Sequence, residues 1–176
     1  MRDNEICWFR RLNEDQEFEQ RAIDRWGELR RSVLSTQRVL GRVDEIAARL
    51  SEAQARNFRR WPIMGRRIHP NDYVGDTYEE EIKWMKQWIQ KRMTWMDAQF
   101  VATPVVTEAN GSVTFRAASG KVYYTQDGTD PRLPGGGVST KALAYNSPVV
   151  IKPGTRLFVR AQHRSGWSSP VNLPAK

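Results

Sequence analysis

The hydrophobic period changes once along this 176-residue chain, and the change divides it. Before Ala102-Thr103-Pro104 apolar residues recur every three or four positions; after it they alternate or cluster in short runs bounded by turn residues. A stripe built for a helix cannot serve as a strand, because a helix repeats every 3.6 residues and a strand every two. The expected fold is therefore α+β with the two parts segregated. A three-helix segment spans residues 1–102, and an Ig-like antiparallel β-sandwich spans residues 103–176.

In the first part Asn13 followed by Gln16 reads as a helix start. Phe18, Ala22, Trp26, Leu29 and Val33 then form one stripe. Ser35 or Thr36 caps a second helix with Val39, Val43, Ile46, Leu50 and Ala53 on one face, antiparallel to the first through a joint near Leu34–Thr36. Pro62, Gly65, Pro70 and Gly75 interrupt regular structure. Thr77 with Glu80 makes a capping box for a third helix. That helix is expected to bury Tyr78, Ile82, Met85, Ile89, Met93, Met96 and Phe100, with Trp84, Trp88 and Trp95 widening its apolar face. In the second part strands are expected at Gly111–Arg116, Lys121–Thr125, Val149–Lys152 and Arg156–Gln162, separated by Asn110-Gly111, Ser119-Gly120, Asp127-Gly128, the glycines 135–137 and Pro153-Gly154.

An apolar fraction of 39% with seven Trp suffices for a packed core and argues against disorder. There is no apolar run of about 18 residues, so nothing reads as a membrane span. The opening Met1–Cys7 passes straight into charged sequence without a signal peptide. Cys7 is the single cysteine, which forbids an internal disulfide, and neither His69 nor His163 lies near a Cys or carboxylate cluster, so no metal site is indicated. Charge is uneven: residues 1–100 hold 19 Lys and Arg against 17 Asp and Glu, while residues 101–176 hold 9 against 3. A basic excess suits an anionic partner, or simply solubility.

Three groups of side chains offer chemistry. Arg59, Arg60, Arg66 and Arg67 flank Trp61, a pattern that can bind phosphate or single-stranded nucleic acid. The plainer reading, preferred here, is that Arg stems cover the indole and pair with Asp72 and Glu79–Glu81, so nucleic acid is not indicated as a partner. Asp127, Gly128, Asp130 and Pro131 could supply oxygens to calcium, but Asp-Gly and Asp-Pro are ordinary turn formers, and a structural turn is preferred. Trp167, Tyr145 and Tyr124 are candidates for stacking on a glycan. Adjacent strand residues alternate faces, so one of Tyr123 and Tyr124 must point inward, and Trp167 is expected at an exposed edge.

Two resemblances rest on particular tracts. Trp8-Phe9-x-x-Leu12, Arg25-Trp26-x-x-Leu29-Arg30, Asn57 to Arg60-Trp61-Pro62-Ile63-Met64-Gly65, and Tyr78-Glu79-Glu80-Glu81-Ile82 leading to Trp88-Ile89-x-x-Arg92-x-x-Trp95 resemble the C-terminal part of the CotH-type spore-coat protein kinase family. Val122-Tyr123-Tyr124-Thr125-Gln126-Asp127-Gly128-Thr129-Asp130-Pro131, followed by Tyr145-x-x-Pro148, Arg160-Ala161 and Gly166-Trp167-Ser168-Ser169-Pro170, is similar to the chitobiase C-terminal-like or fibronectin-III-associated β domain.

The first resemblance implies an atypical protein kinase with a secreted, spore-coat or cell-surface setting; ATP and magnesium are implied only for the full-length family. The second implies an accessory Ig-like sandwich on a secreted carbohydrate-active or surface protein. Phosphoryl transfer needs a nucleotide cradle, a phosphate-pairing Lys and metal-holding carboxylates. The first 56 residues contain no Gly-rich loop, with Gly27 and Gly41 each isolated in helical sequence. No catalytic residue can be assigned, and this chain is expected to be a non-catalytic C-terminal portion. Its helices would brace an upstream kinase region, or another protein surface, through the Trp-rich face. Its sandwich would act as a spacer or as a contact to a glycan or the cell envelope. Two alternatives stand beside this: a complete, free-standing adhesive or carbohydrate-binding scaffold, and residual ATP-dependent kinase activity.

Overall fold

The computed structural model describes residues 7–164 and 166–174; the charged opening Met1–Ile6 lies outside them. Among the described residues five α-helices come first: α1 (Cys7–Glu14), α2 (Gln16–Arg30), α3 (Thr36–Arg49), α4 (Ser51–Arg60) and α5 (Tyr78–Asp97). Eight strands follow: β1 (Val105–Ala109), β2 (Ser112–Arg116), β3 (Lys121–Thr125), β4 (Leu143–Ala144), β5 (Val149–Val150), β6 (Leu157–His163), β7 (Gly166–Trp167) and β8 (Val171–Leu173). The chain is thus α+β with its helices and strands segregated.

Of the three expected helices, the first is preceded by an additional one, α1, and the second is split, each for a local reason. Asn13 lies inside α1, and the cap of α2 is instead Asp15, whose Oδ1 accepts the N–H groups of Glu17 and Phe18 at 2.8 and 3.2 Å. The second expected helix breaks at Leu50, where φ is −90° and ψ is 0°. Ser35 does precede α3, but without a side-chain cap bond. Thr77 caps α5 as expected, its Oγ1 accepting the Glu80 N–H at 3.2 Å, while the Glu80 carboxylate reaches one residue further back and accepts the Asp76 N–H at 2.8 Å.

The molecule forms two compact units. One runs up to Leu29 and resumes at Asp97; the other is the excursion Arg30–Met96. The compact units therefore do not follow the change of hydrophobic period, because α1 and α2 join the strands.

In the strand-bearing unit, β1-β2-β5 make sheet one and β4-β3-β6-β7 make sheet two, with β8 also on β6; every pairing between these strands is antiparallel. Asn110 and Gly111, both at positive φ (50° and 73°), make the tight turn between β1 and β2. Val113, Phe115 and Val149 from sheet one meet Val122, Leu157 and Val159 from sheet two in one core. Tyr124 points inward, its ring centroid 5.4 Å from that of Phe115, and Tyr145 lies 5.0 Å from the same ring.

The excursion Arg30–Met96 is built differently. No residue of α3, α4 or α5 is buried. Its ties include Lys86 Nζ bonding both Asp44 oxygens at 2.7 Å, Tyr73 stacked on Trp84 at 5.1 Å and Phe58 against Tyr78 at 6.3 Å. The loop before α5 is closed by Gly65 N–H to Gly75 O at 2.9 Å and Gly75 N–H to Glu81 at 2.7 Å.

Candidate functional site

The most elaborate arrangement of charged side chains lies on the outer face of sheet two. Along β6, Leu157, Val159 and Ala161 turn inward. Phe158, Arg160 and Gln162 must then turn outward, as the pleat requires. Arg160 nevertheless is only 2% exposed, because α2 covers it. Its guanidinium donates to Asp24 on α2 at 2.6 and 2.8 Å, to Asp130 at 2.7, 2.9 and 3.1 Å, and to the Ser168 carbonyl at 2.7 Å. Burial alone would depress the pKa of this guanidinium, but the hydrogen bonds to Asp24 and Asp130 reverse the effect and raise it.

A second cationic socket lies about two turns of α2 away. Arg132 donates to both oxygens of Glu17 at 3.0 and 2.8 Å, and the Gly135 N–H donates to the same carboxylate at 2.8 Å. These bonds, with that of Arg132 the largest effect, hold the Glu17 carboxyl down to about 2. Gln20, the buried residue of α2, lies between the two sockets, donating to Asp24 at 2.8 Å and to the Ser168 carbonyl at 3.4 Å. Glu17, Gln20 and Asp24 follow one another at helical spacing, so α2 presents a polar face to the sheet. The expected apolar stripe is corrected at two points: Ala22 and Val33 are exposed.

The Asp127–Pro131 turn feeds this arrangement. Asp127 accepts the Thr129 N–H at 2.9 Å and pairs with Lys141 at 3.0 Å; the Thr129 bonds come first in holding its carboxyl far below the usual range. Gly128 has φ +78°. Asp130 accepts the Arg132 N–H at 2.9 Å in addition to Arg160, and Pro131 is fully buried beside it. Among the described residues no three His, Cys, Asp or Glu side chains form a group that could hold a metal ion.

Trp167 is 1% exposed, which corrects its expected position at an open edge. Its indole N–H donates to the Gly136 carbonyl at 2.8 Å and its ring lies 5.7 Å from that of Tyr123, so the segment carrying the 135–137 glycines roofs it. Tyr124 belongs to the core, where burial raises its pKa. Tyr145 is half-buried against the same core. The structure therefore does not bring Trp167, Tyr145 and Tyr124 together on one open surface: Trp167 faces outward under a roof, and the tyrosines pack on the inner side.

In the excursion Arg30–Met96, a cleft of about 550 Å³ runs between α3–α4 and α5, with Leu40, Ala47, Ala48, Tyr78 and Ile82 as its apolar walls and the Asp44–Lys86 pair across it. Trp84, Trp88 and Trp95 are 39, 53 and 52% exposed, and Met85 is exposed as well. Arg59, Arg60, Arg66 and Arg67 are all exposed around an exposed Trp61. The Arg60 guanidinium sits 4.6 Å above the Trp61 ring, and Arg67 pairs with Asp72 at 3.3 Å. Glu80 and Glu81 instead bond the backbone N–H groups of Asp76 and Gly75.

The sequence reading overlooked the roles of Arg160, Arg132, Asp24, Glu17 and Gln20. A signal existed: Arg160 interrupts an otherwise apolar strand, Leu157 to Ala161, which marks a position either solvated or specifically paired.

Fold and site together describe one helix, α2, held by ion pairs to an antiparallel sandwich. The family model described as CotH kinase protein matches residues 2–96, and that described as Fn3 associated matches residues 113–172. The chain belongs to the CotH kinase protein family and carries an Fn3-associated region after the family segment. Neither a curated protein nor a solved structure matches it. Among the described residues no helix is long and apolar enough to cross a membrane. Gly27 and Gly41 sit inside α2 and α3, and Asp44 is committed to Lys86.

Proposed function

We propose that this chain is an accessory, non-catalytic portion of a CotH-type protein, whose excursion Arg30–Met96 braces a catalytic part through the Trp-bearing surface of α5. One observation carries this reading. α5, rich in Trp, Ile and Met, has no buried residue, nor have α3 and α4, and Trp84, Trp88 and Trp95 are 39, 53 and 52% exposed. Large exposed apolar patches mark interaction surfaces, and a helical unit without a core draws its stability from what covers it. In this reading the Fn3-associated region is a spacer and anchor. ATP and magnesium belong to the braced part, and the spore-coat or surface setting follows the family.

The test is expression of this chain together with the coding sequence that precedes it. Bracing predicts that Trp84, Trp88 and Trp95 become protected from acrylamide quenching. Unchanged quenching, or a reading frame that opens at Met1 with no catalytic region encoded beside it, sinks the reading. Incubation of the chain alone with magnesium and labelled ATP is expected to give no autophosphorylation and no thermal shift; either signal would favour residual kinase activity.

A further inference from the structure

Two observations meet in the strand-bearing unit. The outer face of sheet two holds two cationic sockets, Arg160 and Arg132, and α2 fills both with Asp24 and Glu17 from one helical face. Close to the point where the chain leaves this unit, the Trp26 indole N–H donates to Asp97 Oδ1 at 2.9 Å, and Asp97 is the residue at which the chain returns. Departure and return are thus tied by side chains.

We propose that the outer face of sheet two is a docking surface for an acidic helix, used in this chain to clasp α2 and so to close the base of the excursion Arg30–Met96. The partner it fits is defined by chemistry: a helix with carboxylates two turns apart and a hydrogen-bonding side chain between them, as Glu17, Gln20 and Asp24 provide. The sockets are selective because each guanidinium is nearly removed from water, Arg160 at 2% and Arg132 at 9% exposure. An apolar helix would strip Arg132 of its carboxylate and leave Arg160 with Asp130 alone, and a basic one would repel both. The clasp gives the accessory region a second task. It fixes both ends of a segment that has almost no core of its own, which lowers the entropy that segment loses when it orders. This inference does not depend on bracing, since it concerns only what holds α2 to the sheet.

The experiment cuts the chain and asks whether the pieces stay together. A site-specific protease sequence is inserted between Ser32 and Val33 of the full chain, which is nicked and passed over a sizing column at physiological salt. The expected result is co-elution of the two pieces. Asp24→Asn should weaken their affinity about thirtyfold or more, as when a buried, hydrogen-bonded charge loses its partner. Glu19→Gln, on an exposed position of the same helix, should leave it unchanged. Separation of the wild-type pieces overturns the proposal, as does an equal effect of the two substitutions. In the uncut chain, a flexible insert of about 20 residues at the same place should lower the melting temperature by no more than about two degrees, because closure entropy grows slowly with length. A collapse of the transition would mean that the short connection, and not the sockets, holds the helix. Quenching of Trp84 and Trp88 plays no part in either readout, so failure of the clasp and failure of bracing are told apart.

Discussion

In the strand-bearing unit a guanidinium that is 2% exposed is held by two aspartates, and an indole that is 1% exposed donates to a backbone carbonyl. In the excursion Arg30–Met96 the indoles of Trp61, Trp84, Trp88 and Trp95 are 39 to 57% exposed, and no residue of α3, α4 or α5 is fully buried. The same residue types are thus finished in one region and unfinished in the other. The first region pairs its buried arginines with carboxylates of its own chain, although Arg132 Nε has no partner among the described residues. The second has apolar surface without the burial that would make it stabilising.

That contrast can be broken most directly at Arg160. Arg160→Ala leaves Asp24 and Asp130 facing each other under α2, and should lower stability by about 3–5 kcal/mol in denaturant unfolding. A loss below about 1 kcal/mol would mean that the lock is no tighter than a surface ion pair. The next largest effect is expected at Gly120, where φ is +78° and an added Cβ would fall 2.0 Å from the Gln162 carbonyl oxygen. Gly120→Ala combines a left-handed backbone with a clash and should cost about 2 kcal/mol or more, read from the shift in the unfolding midpoint.

Acid sharpens the comparison from another side. The Glu17 carboxyl is depressed from its ordinary 4.5 to about 2 by Arg132 and the Gly135 N–H. A depressed carboxyl contributes stability that is present above its unfolded pKa and is lost as pH falls through the folded one. The strand-bearing unit should therefore weaken between about pH 4.5 and pH 2, and Glu17→Gln should flatten that limb of the melting curve. An unchanged acid limb in the variant would remove Glu17 from the lock. The smallest effect belongs to the excursion: Trp88→Gln should change stability by no more than about 0.5 kcal/mol, as exposed substitutions do. A loss of about 3 kcal/mol, the scale of a core Trp, would show that the helices are finished after all.

Much of this was legible in advance. Period two placed β2, β3, β5 and β6, positive-φ chemistry placed the Asn110-Gly111 turn, and Thr77 with Glu80 placed the start of α5. The partition of α2 was not legible. Apolar periodicity groups Trp26 with the helices that follow, whereas Asp24 meets Arg160 across 136 residues of sequence. A polar face paired at that distance leaves no local trace. Trp167 failed for the opposite reason: its neighbours Gly166 and Ser168 suggest an edge, but a glycine-containing segment 31 residues earlier roofs it. The Arg59–Arg67 loop came out nearer to its reading, with Arg60 over Trp61 and Arg67 on Asp72, because those partners are close in sequence.

The distance between α2 and its sockets also orders events during synthesis. Glu17 and Asp24 leave the ribosome 115 and 136 residues before the arginines that receive them. An apolar helix left waiting that long would attract any sticky surface nearby. A helix whose waiting face is Glu17, Gln20 and Asp24 stays hydrated until Arg132 and Arg160 are translated. Ion pairs in place of leucines let α2 and the later-made β6 close on each other late without aggregating early.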